Sequence, residues 1–309
     1  MKRILRHLAL ATAAFATCLG ASPPQPGQRL PSPQLETLVP AGASARPALW
    51  KVADEDTTIW LFGTVHALPG GIEWFDGKVA ESFDGSQELV TEILETSGES
   101  MQKSVLSRAM LPAGKTLRGL MNKEDREEFE AALAGEGLPA ATLDRFKPWY
   151  AAIFLSTLPI LKQGFDPNNG VEKALDARAK ALSQSHSALE TAEFQLSLFD
   201  SLPQDVQMRY LKEVARTMPQ AGDELTGMIE AWQKGDAETL ARLMNADEEE
   251  PALMEKLLYA RNKTWADWIR TRLDQPGTVF LAVGAGHLAG SGSVQQELRA
   301  RGIASQRIQ

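Results

Sequence analysis

Two histidines of this 309-residue chain each follow a glycine by three positions: Gly63 to His66 in TIWLFGTVHALPGG, and Gly284 to His287 in TVFLAVGAGHLAGSG. Imidazole is both a proton carrier near neutral pH and a common neutral ligand of divalent metal ions. With 24 Gly and 4 His in the chain, chance alone supplies about 0.3 such pairs. Two occur, and both close a run of β-branched and aromatic residues. The remaining histidines are His7 and His186. A metal bound by two imidazoles also calls for a carboxylate, and ELVTEIL supplies Glu92 close to Val90 and Ile93. A carboxylate in an apolar strand costs free energy unless it is paired or coordinated.

The elements around these residues follow from periodicity. ALWKVAD and TTIWLFGTV read as two paired strands across the acidic turn DED, and QELVTEIL as a third. Between the latter two, EWFDGKVAESFDGS suits a short helix ended by Gly85. Long helical patterns fill about 97–169, including one capped by Asn122 and the apolar KPWYAAIFLSTLPILKQG. Pro159 and the length of that apolar run point to a buried core helix rather than a membrane span. GVEKALDARAKAL then reads as a helix, SHSALET as a short strand, and 193–272 as several helices. GTVFLAVGAGH is an apolar strand buried on both faces, GSVQQELRARG a helix and ASQRI a last strand. Strands feeding helices through glycine-rich turns give an α/β fold class. In such sheets ligands gather beyond the carboxyl ends of the strands, where both histidines fall. A glycine there allows a sharp bend or a close backbone approach.

The first residues carry a different signal. Basic MKRILRH and an apolar stretch from Leu8 to Leu19, too short for a stable anchor, read as an export signal over 1–21. Ala14 to Ala16 offers a cleavage site; Cys18 offers an imperfect lipid-attachment site. Residues 22–44, rich in Pro, Ser and Gln, read as a linker, leaving 45–309 as the folded domain. An exported, periplasmic protein without a transmembrane anchor after signal removal is expected, or a lipoprotein held at Cys18. Cys18 is the only cysteine, so no disulfide forms within the chain. The net charge of −8 and the lack of a clustered basic face argue against a nucleic-acid partner.

The ordered set LWKV, LFGTVHALP, ELVTEI, GKTLRGLM, LDRFKPWYAAIFLS, GFDPNNGVEKAL, ALETAEFQLSLFDSLP, RNKTWADWI and FLAVGAGHLAG resembles the TraB/GumN family, related to the Tiki metalloproteases. The resemblance runs from about residue 48 to 309. It implies a fold shared with erythromycin esterase-like and ChaN-like proteins: duplicated β/α halves forming a central mixed sheet, with a large helical insertion lobe at about 97–169. It also implies His66, Glu92 and His287 as ligands of a divalent ion, zinc or manganese, in a peptide-cleaving site. The chain departs from the family pattern at Glu172, where aspartate is frequent, and at Ala285 and Gly286, where a bulkier residue is frequent.

Metal-activated water attacking a carbonyl is the expected chemistry. Glu190, at the end of SHSALET, is the candidate further ligand or general base. Arg261 and Asn262 of RNKTW are candidates for binding an oxyanion or a substrate carboxylate. Two rivals stand beside the peptidase-like hydrolase: a haem- or metal-binding envelope protein without catalysis, and an accessory in polysaccharide or envelope assembly.

Overall fold

A computed structural model describes residues 45–94, 98–245 and 251–309. The expected signal, linker and Cys18, and most of the acidic NADEEEP turn, lie outside the described residues.

The chain folds as mixed α/β around a six-stranded sheet of order β4-β3-β5-β2-β1-β6. The strands are β1 (Leu49–Ala53), β2 (Thr57–Thr64), β3 (Glu88–Thr91), β4 (Ser185–Ala188), β5 (Gly277–Gly284) and β6 (Gln306–Arg307). β2, β5, β3 and β4 are mutually parallel, while β1 runs antiparallel to both β2 and β6. Four neighbouring strands therefore end at the same edge of the sheet.

The helices are α1 (Gly77–Asp84), α2 (Gly98–Ala109), α3 (Lys123–Gly135), α4 (Pro148–Lys162), α5 (Val171–Leu182), α6 (Ala192–Asp200), α7 (Gln204–Thr217), α8 (Ala221–Gln233), α9 (Ala237–Asn245), α10 (Pro251–Met254), α11 (Ala260–Leu273) and α12 (Val294–Ala300). The Asn122 side chain caps α3 by accepting from Asp125 N. Among the described residues no helix is long and apolar enough to cross a membrane; α4 buries Trp149, Ala151, Ala152 and Leu155 instead.

Alternation along β5 explains its wholly apolar run. Phe280 and Ala282 join one cluster with α1, α5 and α8. Val279, Leu281 and Val283 join another with Trp265, Ala266 and Ile269 of α11 and Leu298 of α12. Successive side chains of a strand point to opposite faces, so a strand covered by helices on both sides must be apolar throughout.

A third cluster belongs to the helical lobe. The lobe extends beyond the expected 97–169: Leu196 and Phe199 of α6 and Tyr210, Leu211 and Val214 of α7 pack with α2, α3 and α4. Its core is completed by helices that follow β4 in the chain.

Candidate functional site

Each of the four parallel strands delivers one charged or imidazole side chain just past its carboxyl end. His66 follows β2, Glu92 follows β3, Glu190 follows β4 and His287 follows β5. Glu92 is thus not inside the third strand as the apolar pattern suggested; β3 stops at Thr91. Parallel pairing continues past the end of β4, with Leu189 N donating to Thr91 O at 2.9 Å and Glu190 N to Glu92 O at 2.8 Å.

The motif glycines serve close approach rather than bending. Gly63 lies within β2, and a Cβ there would stand 3.0 Å from both Cα and Cβ of Ala285. A Cβ on Gly284 would come within 3.2 Å of Glu92 Oε1, the oxygen that accepts from Gly284 N at 2.8 Å. The side-chain-free residue lets a carboxylate lie against the backbone.

Each imidazole is tied through Nδ1. His66 Nδ1 donates to Glu172 Oε1 at 2.6 Å, and Thr64 Oγ1 donates to the same oxygen. Gly170, at the N-terminus of α5, makes this possible: a Cβ there would fall 2.2 Å from His66 O. The first turn of α5 is consequently pressed against the end of β2, and Val171 N donates to Val65 O. His287 Nδ1 donates to Asn262 Oδ1 at 2.6 Å, while Asn262 Nδ2 donates to Gly292 O. Asn262 therefore orients His287 and is held on the protein.

Arg261 is the hub. Its Nε donates to Glu190 Oε1 at 2.9 Å, and Nη2 donates to Glu190 Oε2 at 2.9 Å and Glu92 Oε2 at 2.6 Å. Its Nη1 donates to Leu257 O at 3.0 Å and to His287 Nε2 at 3.1 Å. Leu257 lies in a π-helical turn, Glu255–Tyr259, just before α11. Such turns recur at functional sites, and here the turn includes a carbonyl that receives the guanidinium. Trp265, one helical turn after Arg261, stacks beneath it at 4.7 Å and lies 4.3 Å from the His287 ring. Trp265 Nε1 donates to Glu190 Oε1, and Gln195 Nε2 donates to both Glu92 and Glu190.

Electrostatics separate the two imidazoles. Burial opposes charging His66, yet the Glu172 carboxylate beside it prevails and its pKa lies above the ordinary value. Burial, with the Arg261 guanidinium next, lowers His287 to about 3. His287 is therefore neutral, with Nδ1 protonated and the Nε2 lone pair facing Arg261. Burial also works against the Glu92 carboxylate, but Arg261, with His66 and the Gly284 N–H behind it, holds its pKa far below the usual range.

Among the described residues no group of three or more His, Cys, Asp or Glu side chains is arranged to hold a metal ion as it stands. The geometry shows why. Arg261 lies against both Glu92 and His287, whose Nε2 is 3.8 Å from Glu92 Oε1. The chemistry of the donors nevertheless suits a cation. Glu92, Glu172 and Glu190 outnumber the single guanidinium by two charges when His66 is neutral and by one when it is protonated, and two imidazoles each keep one nitrogen clear of their Nδ1 anchors.

His186 lies away from this cluster, with Nε2 2.9 Å from Thr91 Oγ1 and Nδ1 3.1 Å from Asp176 Oδ1. Sequence reasoning singled out His66, Glu92, Glu190, Arg261, Asn262 and His287, and the structure gathers them at one edge of the sheet. It missed the parts played by Thr64, Glu172, Gln195 and Trp265. Glu172 carried one usable signal, its place in the first turn of a helix that begins right after a glycine.

The model of the TraB/PrgY/gumN family matches residues 48–307. An uncharacterized protein of Treponema pallidum is 22% identical over 277 residues, covering 82% of this chain and 80% of that protein. The uncharacterized protein YbaP of Escherichia coli is 26% identical over 244 residues, covering 77% of this chain and 87% of YbaP. No solved structure matches the chain.

Proposed function

This chain belongs to the TraB/PrgY/gumN family, and we propose that it is an exported, metal-dependent hydrolase acting on a carbonyl substrate, with the peptide bond as the first candidate. The observation carrying this reading is the anchoring of both motif histidines through Nδ1, to Glu172 and to Asn262. Histidines that bind metals are held in this way, since the bond at one ring nitrogen fixes the tautomer and aims the other. The surplus of carboxylate charge that remains once His66 gives up its proton supports the same reading, because a divalent ion would neutralise it.

His66 and His287 would hold the ion through Nε2, with Glu92 as the carboxylate nearest to His287. Zinc suits so small a nitrogen and oxygen set, and manganese suits it if a further carboxylate joins. A bound ion would supply a polarised carbonyl and a water of lowered pKa. The chain's own groups do the rest. Glu172 and Asn262 fix the imidazoles, while Glu190 and Trp265 fix Arg261. Glu172, its side chain 27% exposed, is the more accessible member of its pair with His66, whose side chain is 12% exposed.

The test is elemental analysis of the dialysed protein, followed by a peptide-cleavage screen with and without chelator. Bound metal is expected in the wild type and in His186→Ala, and a large loss in His66→Ala, His287→Ala and Glu92→Gln. Retention by all of these variants would refute the assignment, and metal without cleavage would leave a binding protein in place of a hydrolase.

A further inference from the structure

A guanidinium has five N–H donors and no more, and all five of Arg261 are in use. Nε serves Glu190, Nη2 serves Glu190 and Glu92, and Nη1 serves Leu257 O and His287 Nε2. As it stands, Arg261 has nothing left to offer a substrate oxygen. Four of these acceptors are oxygens, one the backbone carbonyl of Leu257 and three on carboxylates held by other contacts: Glu190 also accepts from Trp265 and Gln195, and Glu92 from Gln195 and Gly284. The fifth acceptor is different in kind. It is the single lone pair of His287 Nε2, because Nδ1 of the same ring carries the proton given to Asn262.

We propose that ion binding and the arming of Arg261 are one event: a cation that takes the His287 Nε2 lone pair expels one Nη1–H, which becomes the donor for the substrate carbonyl oxygen. This rests on the metal reading given above. One lone pair cannot both accept an N–H and coordinate a cation. The expelled donor does not wander, since Arg261 stays forked on Glu190, bonded to Leu257 O and stacked on Trp265. It remains beside the imidazole that holds the ion, where negative charge grows on a carbonyl oxygen under attack. Without the ion the same N–H satisfies His287, so the empty site leaves no buried donor unpaired. Arg261 in this account touches substrate only in the ion-bound protein.

Two measurements on the mature protein test it, with Mn²⁺ or Zn²⁺ alone as the probe. A crystal structure of the wild type with the ion should show Nη1 withdrawn from His287 Nε2 while both contacts to Glu190 persist. Calorimetric titration of Arg261→Lys, which keeps the charge but cannot span Glu190 and His287 together, should give binding about tenfold tighter, the worth of one hydrogen bond to a charged group, with turnover reduced. Ion bound while Nη1 still donates to His287, or unchanged affinity in Arg261→Lys, would overturn the inference and leave the metal reading intact. No binding by either protein would overturn both. Binding by the variant alone would also overturn the inference, since the arginine would then block the site instead of being armed by the ion.

Discussion

Replacing His287 with glutamine should remove most of the protein's loss of stability between pH 6.5 and 4.5. An ordinary histidine titrates at 6.5, and burial, with Arg261 beside it, lowers His287 to about 3. A depressed pKa means that the unfolded chain binds a proton which the folded one refuses. Stability is therefore full above the unfolded value and falls as pH drops toward the folded one. Over this window the linkage amounts to about 2 kcal/mol, and a folded value one unit higher changes it by only about 0.2 kcal/mol. Neighbouring groups act at the margins. Glu92, also depressed, contributes its loss mainly below the ordinary glutamate value of 4.5. His66, raised, contributes stability that is complete below 6.5 and is lost as pH rises through its folded value. Urea unfolding in chelator at the two pH values, for wild type and His287→Gln, gives the comparison. The difference in stability between the proteins should shrink by about 2 kcal/mol on acidification. A parallel fall, with the difference constant to about 0.5 kcal/mol, would refute a neutral, lone-pair-bearing His287.

Three more outcomes are expected. Glu172→Gln removes the carboxylate that raises His66, so the His66 midpoint followed by NMR should drop, and the stability lost above pH 6.5 should diminish with it. Gly63→Ala places a Cβ at 3.0 Å from two Ala285 atoms and should cost about 1–3 kcal/mol by urea unfolding, as overpacking does; an unchanged midpoint would show that the second motif can yield. Glu190→Gln leaves the buried Arg261 with Glu92 as its only carboxylate partner and should lower stability by about 3 kcal/mol, the range for a broken buried pair.

Much of the sheet was readable because burial on both faces forces an unbroken apolar run, as in VFLAV of β5, and because strand ends are marked by Gly63, Gly284 and the turn residues around them. The strand-end rule also pointed to Glu190, at the end of SHSALET, whereas the apolar pattern kept Glu92 inside β3. That pattern misjudged where β3 ends, since the apolar Ile93 extends it past Thr91, although the chain leaves the strand there to aim Glu92 at Gly284 N. Long-range pairing was not readable. Glu172 meets His66 only because Gly170 lets α5 abut β2, and nothing near Glu172 in sequence names that partner. RNKTW pointed to directed donors, and the donors are directed, but into the protein: Asn262 toward His287 and Gly292, Arg261 toward two glutamates. Local sequence shows which donors exist and cannot show how many are already taken.

The repeated glycine-to-histidine ending then has two separate causes. Topology repeats, because β2 and β5 are parallel neighbours whose ends meet one crevice, with Gly63 opposite Val283 and Thr64 opposite Gly284. Chemistry does not repeat. Gly63 makes room for Ala285, whereas Gly284 makes room for the Glu92 carboxylate. His66 leans on a carboxylate and holds its proton more tightly, while His287 leans on a neutral amide and faces a guanidinium, so it refuses one. Environments that push two like groups apart in pKa assign them different tasks. An ion bridging this pair would meet a proton on one side and an arginine N–H on the other, and both must leave for it to bind.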